Sequence, residues 1–135
     1  MTIYTSSWFT FKGPGRIGIS RGNPRGVAAG YRLYKPLAPT WDIIKNSANK
    51  AEYEPRYYGE VLDHLDPHQV LADLRRLAGD ATPVLMCYER PPFTDENFCH
   101  RHMAGDWLAK HTGVDVKEWS GCKESNLELP LDATA

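Results

Sequence analysis

"TPVLMCY", Thr82 to Tyr88, is a continuous apolar run bounded by turn residues. A short run of that kind predicts a strand covered on both faces, as central strands of parallel sheets are. Beyond it, Met103, Ala104, Trp107 and Leu108 recur at helical spacing, which predicts a helix starting at Thr94 or Asp95 and stopping at Gly113. "VDVKEW" then reads as a further strand. Upstream, "EPRYYGEVLDHL" sets Tyr57, Val61, Leu62 and Leu65 at helical spacing. Asp66 and Pro67 form an N-cap and first helical position for "HQVLADLRRLAG", which Gly79 closes.

Near the start, "TIYTSSW" and "RIGIS" have the β-branched and aromatic content of strands, with "KGPG" as a turn between them. "RGNPRG" is too rich in glycine and proline for regular structure and reads as a loop leaving the end of a strand. "GYRLYKPLAPTW" continues irregularly, because Pro36 and Pro39 push the residues before them out of the helical region. A helix is expected from about Thr40 through "WDIIKNS". Strands alternating with helices predict an α/β fold, a single three-layer domain with a mainly parallel sheet flanked by helices. The domain is expected over residues 1–120, and "SGCKESNLELPLDATA" has no periodicity, so residues 121–135 are expected to form a tail or strap.

The composition agrees with one globular domain, at 135 residues, 41% hydrophobic and 24% charged. No segment approaches the ~20 consecutive apolar residues of a membrane span, and the first residues lack a signal-peptide layout, so the expected location is cytoplasmic. Three widely spaced cysteines do not make a disulfide framework, and free thiols are the default. The net charge of -1 conceals an asymmetry. Lys12, Arg16, Arg21, Arg25, Arg32 and Lys35 precede Asp42 with no carboxylate among them, so the first 41 residues carry +6 and the rest -7. Gathered on one surface, such cations would attract phosphate or a polyanion.

In open α/β sheets, ligands bind at the carboxyl ends of the strands. Two loops sit at such ends, "SRGNPRG" and "CYERPPFTDENFCHRH". If their strands are neighbours, Arg21, Arg25, Cys87, Glu89, Cys99, His100 and Arg101 converge. Cys87 and Glu89 point to one side of an extended chain. Cys99, His100 and Arg101 open a helix, where backbone N–H groups favour negative charge and lower a thiol pKa. The alternative is that both cysteines are buried, inert thiols, since Cys87 ends an apolar run and Cys99 shares a stripe with Met103 and Trp107. Zinc has suitable ligand types here, yet the paired cysteine spacing of zinc ribbons is missing, and His100 and His102 lie roughly 200° apart on a helix. No metal site is expected on that reading. Trp41 and the tyrosines of "YRLYK" suit either base stacking or the edge of the core, and the core edge is favoured.

"CYERPPFTDENFCHRHMAGDWLAKHTGVDVKEW" and the earlier "IGISRGNPRG" together resemble the family called domain of unknown function 488. Its signatures are a strand running into an arginine loop, then a cysteine with a glutamate two residues on and a Cys-His-Arg triplet opening a helix. The resemblance spans Ile3 to Trp119. It implies that Arg21, Pro24, Arg25, Cys87, Glu89, Cys99, His100 and Arg101 are the characteristic residues, while His102 has no counterpart. Ser20 departs from the acidic residue many members carry before the arginine, and "RPPFTDEN" lengthens the loop between the cysteines. The family implies a fold and a site, and no established reaction.

The expected function is therefore a pocket for a phosphate-bearing ligand, a nucleotide or nucleic acid. Arg21, Arg25 and Arg101 would bind the anion, Cys87 or Cys99 would be a reactive thiol, Glu89 an acid or base, and His100 a proton carrier or orienting donor. The competing class is a non-catalytic module for nucleic acid or protein, in which the Cys-His-Arg cluster is structural.

Overall fold

In the computed structural model, which describes residues 2–22, 24–88 and 98–119, five strands form one sheet. They are β1 (Thr2–Ser7), β2 (Arg16–Gly18), β3 (Arg32–Leu33), β4 (Val84–Cys87) and β5 (Asp115–Glu118). All pair in parallel, in the order β3-β2-β4-β1-β5. The apolar run is the centre, and every residue of β4 is buried. The two N-terminal strands are not neighbours, since β4 lies between them. "KGPG" belongs to a connection that crosses the end of β4, where Val84 N–H donates to the Gly15 carbonyl at 2.8 Å.

Four helices follow the expected stretches, α1 (Trp41–Asn46), α2 (Lys50–Glu60), α3 (Pro67–Ala78) and α4 (His100–Thr112). The caps of α3 are those read from sequence. The Asp66 side chain accepts from His68 N–H, Pro67 opens the helix, and Gly79 N–H closes it on Arg75 and Arg76 carbonyls. α2 begins earlier than the Tyr57 stripe and ends before Val61, after which Leu62–His64 make one 3₁₀ turn.

Chain order explains the layers. The chain runs from β1 through β2 to β3 toward one edge of the sheet, and returns through β4 to β5 toward the other. Right-handed crossovers place the two sets of connections on opposite faces. The return is helical, and Ile3, Ile17 and Leu85 pack there against Tyr57, Leu62, Leu74, Met103 and Leu108. The outward connections are irregular, and cover Val84 and Met86 with Trp8 and Phe11, joined at the margin by Val27 and Tyr31. The third layer is thus made of aromatic-bearing loops. Gly105 allows α4 to lie close to the sheet, because a Cβ there would stand 2.8 Å from Val116 Cγ1.

Two expectations need correction. The segment read as irregular contains β3, whose two residues pair with Ile17 and Gly18. Neighbouring prolines limit its length, as suits an edge strand. In addition, α4 begins at His100, because Cys99 has extended backbone and caps the helix by accepting from Arg101 N–H. Thr94 and Asp95, the expected starts, lie outside the described residues, as does the expected tail at 121–135. No described helix is long and apolar enough to cross a membrane.

Candidate functional site

β2 and β4 are neighbours, with Ile17 opposite Leu85 and Gly18 opposite Met86. Their carboxyl ends therefore lie side by side, and the pairing continues one step as Ile19 N–H donates to the Met86 carbonyl at 3.2 Å. The "SRG" loop leaves one strand there, and Tyr88 leaves the other. The start of α4 closes the corner. His100 is buried and its Nε2–H donates to the Ile19 carbonyl at 2.6 Å, tying the helix to the end of β2.

Between these parts is a cleft of about 360 Å³. Ser20, Arg21 and Gly22 form one wall and His100 and Phe98 another, while Trp41, Tyr53 and Tyr88 provide aromatic surface. The size and the mix of aromatic surface with a few polar groups suit a small ligand. Trp41 is 54% exposed, so it stands at the cleft and does not fill the core edge. Tyr31 and Tyr34 do take core-edge positions. Tyr31 stacks edge-on against Trp8, and the Tyr34 hydroxyl donates to Asp73 at 2.7 Å.

The arginine loop is held by cations bonded to carbonyls. Arg21 Nε donates to the Pro39 carbonyl at 3.0 Å and Nη2 to the Ala38 carbonyl at 3.3 Å. Lys35 Nζ donates to the carbonyls of Ser20 and Arg21. Burial and the charge of Arg21 lower the Lys35 pKa. Among the described residues no carboxylate pairs with Arg21, so its positive charge stays uncompensated beside the cleft. Arg25 is exposed and does not line the cleft, but its backbone hydrogen-bonds Tyr88, which does.

The basic N-terminal segment is not one charged surface. Arg16 is buried, and its three guanidinium nitrogens donate to the carbonyls of Gly13, Ala28 and Ala29. It fastens the outer loop layer to β2.

Cys87 ends β4 and Cys99 caps α4. Both are buried, and their sulfurs are joined as a disulfide. The expectation of free thiols is corrected at this pair, whose members are twelve positions apart in sequence, because the strand end and the helix cap meet at one corner. Burial lowers the His100 pKa to about 4, with the Arg101 charge adding to the effect and the bond to Ile19 opposing it. The imidazole is therefore neutral near pH 7.

Arg101 is fully buried and does not line the cleft. Its Nη2 and Nε donate to the two oxygens of Glu118 at 2.8 and 3.1 Å, and Nη1 donates to Cys87 Sγ at 3.1 Å. Glu118 also accepts from Thr5 at 2.6 Å and bonds His102 at 2.9 Å. Burial alone would raise the Glu118 pKa. The hydrogen bonds of His102, Arg101 and Thr5 outweigh it and hold the pKa at about 2.

The structure thus brings Arg21 and His100 to one cleft, sets the Cys87–Cys99 pair beside His100, and leaves Arg25 and Arg101 off the cleft. Glu89 lies outside the described residues. Sequence reading missed Glu118, although a signal existed. Val116 and Glu118 are two apart on a strand, so a carboxylate shares the inward face with a core valine. His102, which has no counterpart in the family pattern, also serves that carboxylate.

These features define a parallel α/β domain with a candidate small-ligand cleft at the carboxyl edge of its central strands. The chain belongs to the domain of unknown function 488 family, and the family model described as the active DUF488-N3 subclade matches residues 10–112. No curated protein and no solved structure matches it.

Proposed function

We propose that the cleft binds a phosphate-bearing ligand with a flat ring, a nucleotide or the end of a nucleic acid. The carrying observation is that uncompensated Arg21 and aromatic Trp41, Tyr53 and Tyr88 line one cleft. A guanidinium matches phosphate oxygens, and aromatic faces stack on bases. Arg25 acts from outside the cleft, beyond Tyr88. Arg101, engaged by Glu118, orients the corner and does not meet the ligand.

The description of the matched subclade as active supports a chemical role. In that role His100, neutral at the cleft wall, carries a proton, and Glu89 is an acid or base on the strength of its motif position. Cys87 or Cys99 serves as the nucleophile only once their bond is reduced. The disulfide favours a second reading, a binding module whose Cys-His-Arg corner is structural.

Calorimetric titration with a panel of nucleoside monophosphates and the matching nucleosides tests the ligand. Arg21→Ala is expected to weaken monophosphate binding about tenfold to hundredfold, the value of a charge-assisted hydrogen bond, and to leave nucleoside binding nearly unchanged. Equal affinity of wild type and Arg21→Ala for every monophosphate defeats the proposal.

A further inference from the structure

The paired-cysteine spacing that marks many zinc sites is missing from this chain, yet three side chains of metal-ligating type meet at the corner of β4 and α4. The sulfurs of Cys87 and Cys99 and a ring nitrogen of His100 all lie within 4.8 Å of one another, and all three residues are buried. Sequence spacing conceals the cluster, because one sulfur ends a strand and the other caps a helix.

We propose that, with its disulfide reduced, this corner is a binding site for a borderline-soft divalent ion of the zinc type, held by Cys87, Cys99 and His100. Four observations support it. First, the His100 Nε2–H bond to the Ile19 carbonyl fixes the tautomer and leaves the Nδ1 lone pair, the outer-shell arrangement usual for a metal-bound histidine. Second, Arg101 Nη1 donates to Cys87 Sγ, and Cys99 Sγ accepts the Arg101 N–H at the start of α4. Both contacts stabilise thiolates, which are the ligand form.

Third, the Cα atoms of Cys87 and Cys99 stand 7.2 Å apart. Most disulfides span about 4.4–6.8 Å, whereas a tetrahedral ion with ~2.3 Å bonds to sulfur holds its two sulfurs roughly 3.8 Å apart and suits a wider pair. Fourth, His100 is also a wall of the cleft, so the ion would lie beside the ligand site. The described residues supply three ligands, and a fourth position is left for water or a ligand oxygen, as in catalytic zinc sites.

The chemistry balances. A dithiol reductant gives two electrons and two protons to the Cys87–Cys99 bond and itself becomes a disulfide. The ion then displaces the two thiol protons to solvent as the two thiolates bind. Oxidation and metal binding are therefore mutually exclusive states of one sulfur pair. This inference rests on the cysteine-histidine corner and not on the identity of the cleft ligand.

The test uses the full chain, reduced under anaerobic conditions and titrated with Co²⁺ and then Zn²⁺ alone. The expected result is one Co²⁺ per chain with thiolate-to-metal charge transfer and tetrahedral absorption, both abolished when Zn²⁺ displaces it. Cys99→Ser and His100→Ala should each weaken binding at least tenfold, while His64→Ala, an exposed histidine, leaves it unchanged. If those variants fail to fold, wild-type protein decides. Bound Zn²⁺ should protect Cys87 and Cys99 from alkylation, mapped by mass spectrometry. Lack of stoichiometric binding by reduced wild type, lack of protection, or loss of binding on His64→Ala overturns the proposal.

Discussion

Two arginines from the same motif-bearing edge have opposite fates. Arg101 is fully buried and meets both oxygens of Glu118, with Thr5 and His102 completing the carboxylate's bonds. Arg21 is only partly buried and meets two backbone carbonyls. A carboxylate cancels a charge, while carbonyls orient one and leave it in place. The first arginine therefore holds α4 onto β5 and the second remains available to an anion, although the sequence motifs single out both alike. A motif arginine is assigned to binding or to architecture by its partner.

The sharpest way to break this contrast is to remove the buried cation. Arg101→Met is expected to cost about 3–5 kcal/mol, because Glu118 loses its guanidinium partner in a partly buried site and keeps only Thr5 and His102. Urea unfolding measures it, and a loss below about 1 kcal/mol would place Arg101 with Arg21 as a dispensable support.

A smaller effect should come from acid. Glu118 has a folded pKa of about 2, below its ordinary 4.5. A depressed carboxylate stabilises the fold fully above its unfolded pKa, and that stability is lost as pH falls from about 4.5 toward 2. The gap in melting temperature between wild type and Glu118→Gln should hence be widest near pH 6 and close over that window. A gap that stays constant down to pH 2.5 would show that the carboxylate's charge contributes nothing.

The smallest expected change is Arg21→Ala in the absence of ligand. Its two bonds to carbonyls lie at the surface of a loop that Lys35 also clamps, so the loss should stay within about 1 kcal/mol. Thermal melts compared with Arg101→Met give the contrast directly. Equal destabilisation by the two substitutions would erase it.

Local order was readable wherever one residue type carries a backbone role. Asp66, Pro67 and Gly79 bounded α3 in advance, and Gly113 ended α4, because caps act through their immediate neighbours. The apolar run of β4 announced a central strand for the same reason, since a strand covered on both faces has no polar side. The two-residue β3 carries no strand signal of its own, because pairing with β2, and not its composition, makes it a strand. The cleft was legible as a conditional. It required β2 and β4 to be neighbours, and only the sheet order satisfied that requirement.

By itself the sequence determined the class of fold, both ends of α3 and the C-terminal end of α4, the two loops at the sheet's carboxyl edge, and membership of the family. These follow from periodicity, caps and motif spacing, which are properties of short stretches of chain. Tertiary structure alone decided which cations stand without a carboxylate partner among the described residues, that Glu118 occupies Arg101, that Arg16 serves the loop layer, and that Cys87, Cys99 and His100 share one corner. Each of these depends on contacts between residues distant in sequence, such as Arg101 with Glu118 or His100 with Ile19. Charge and thiol chemistry are set by the nearest partner in space, and the sheet order chooses that partner.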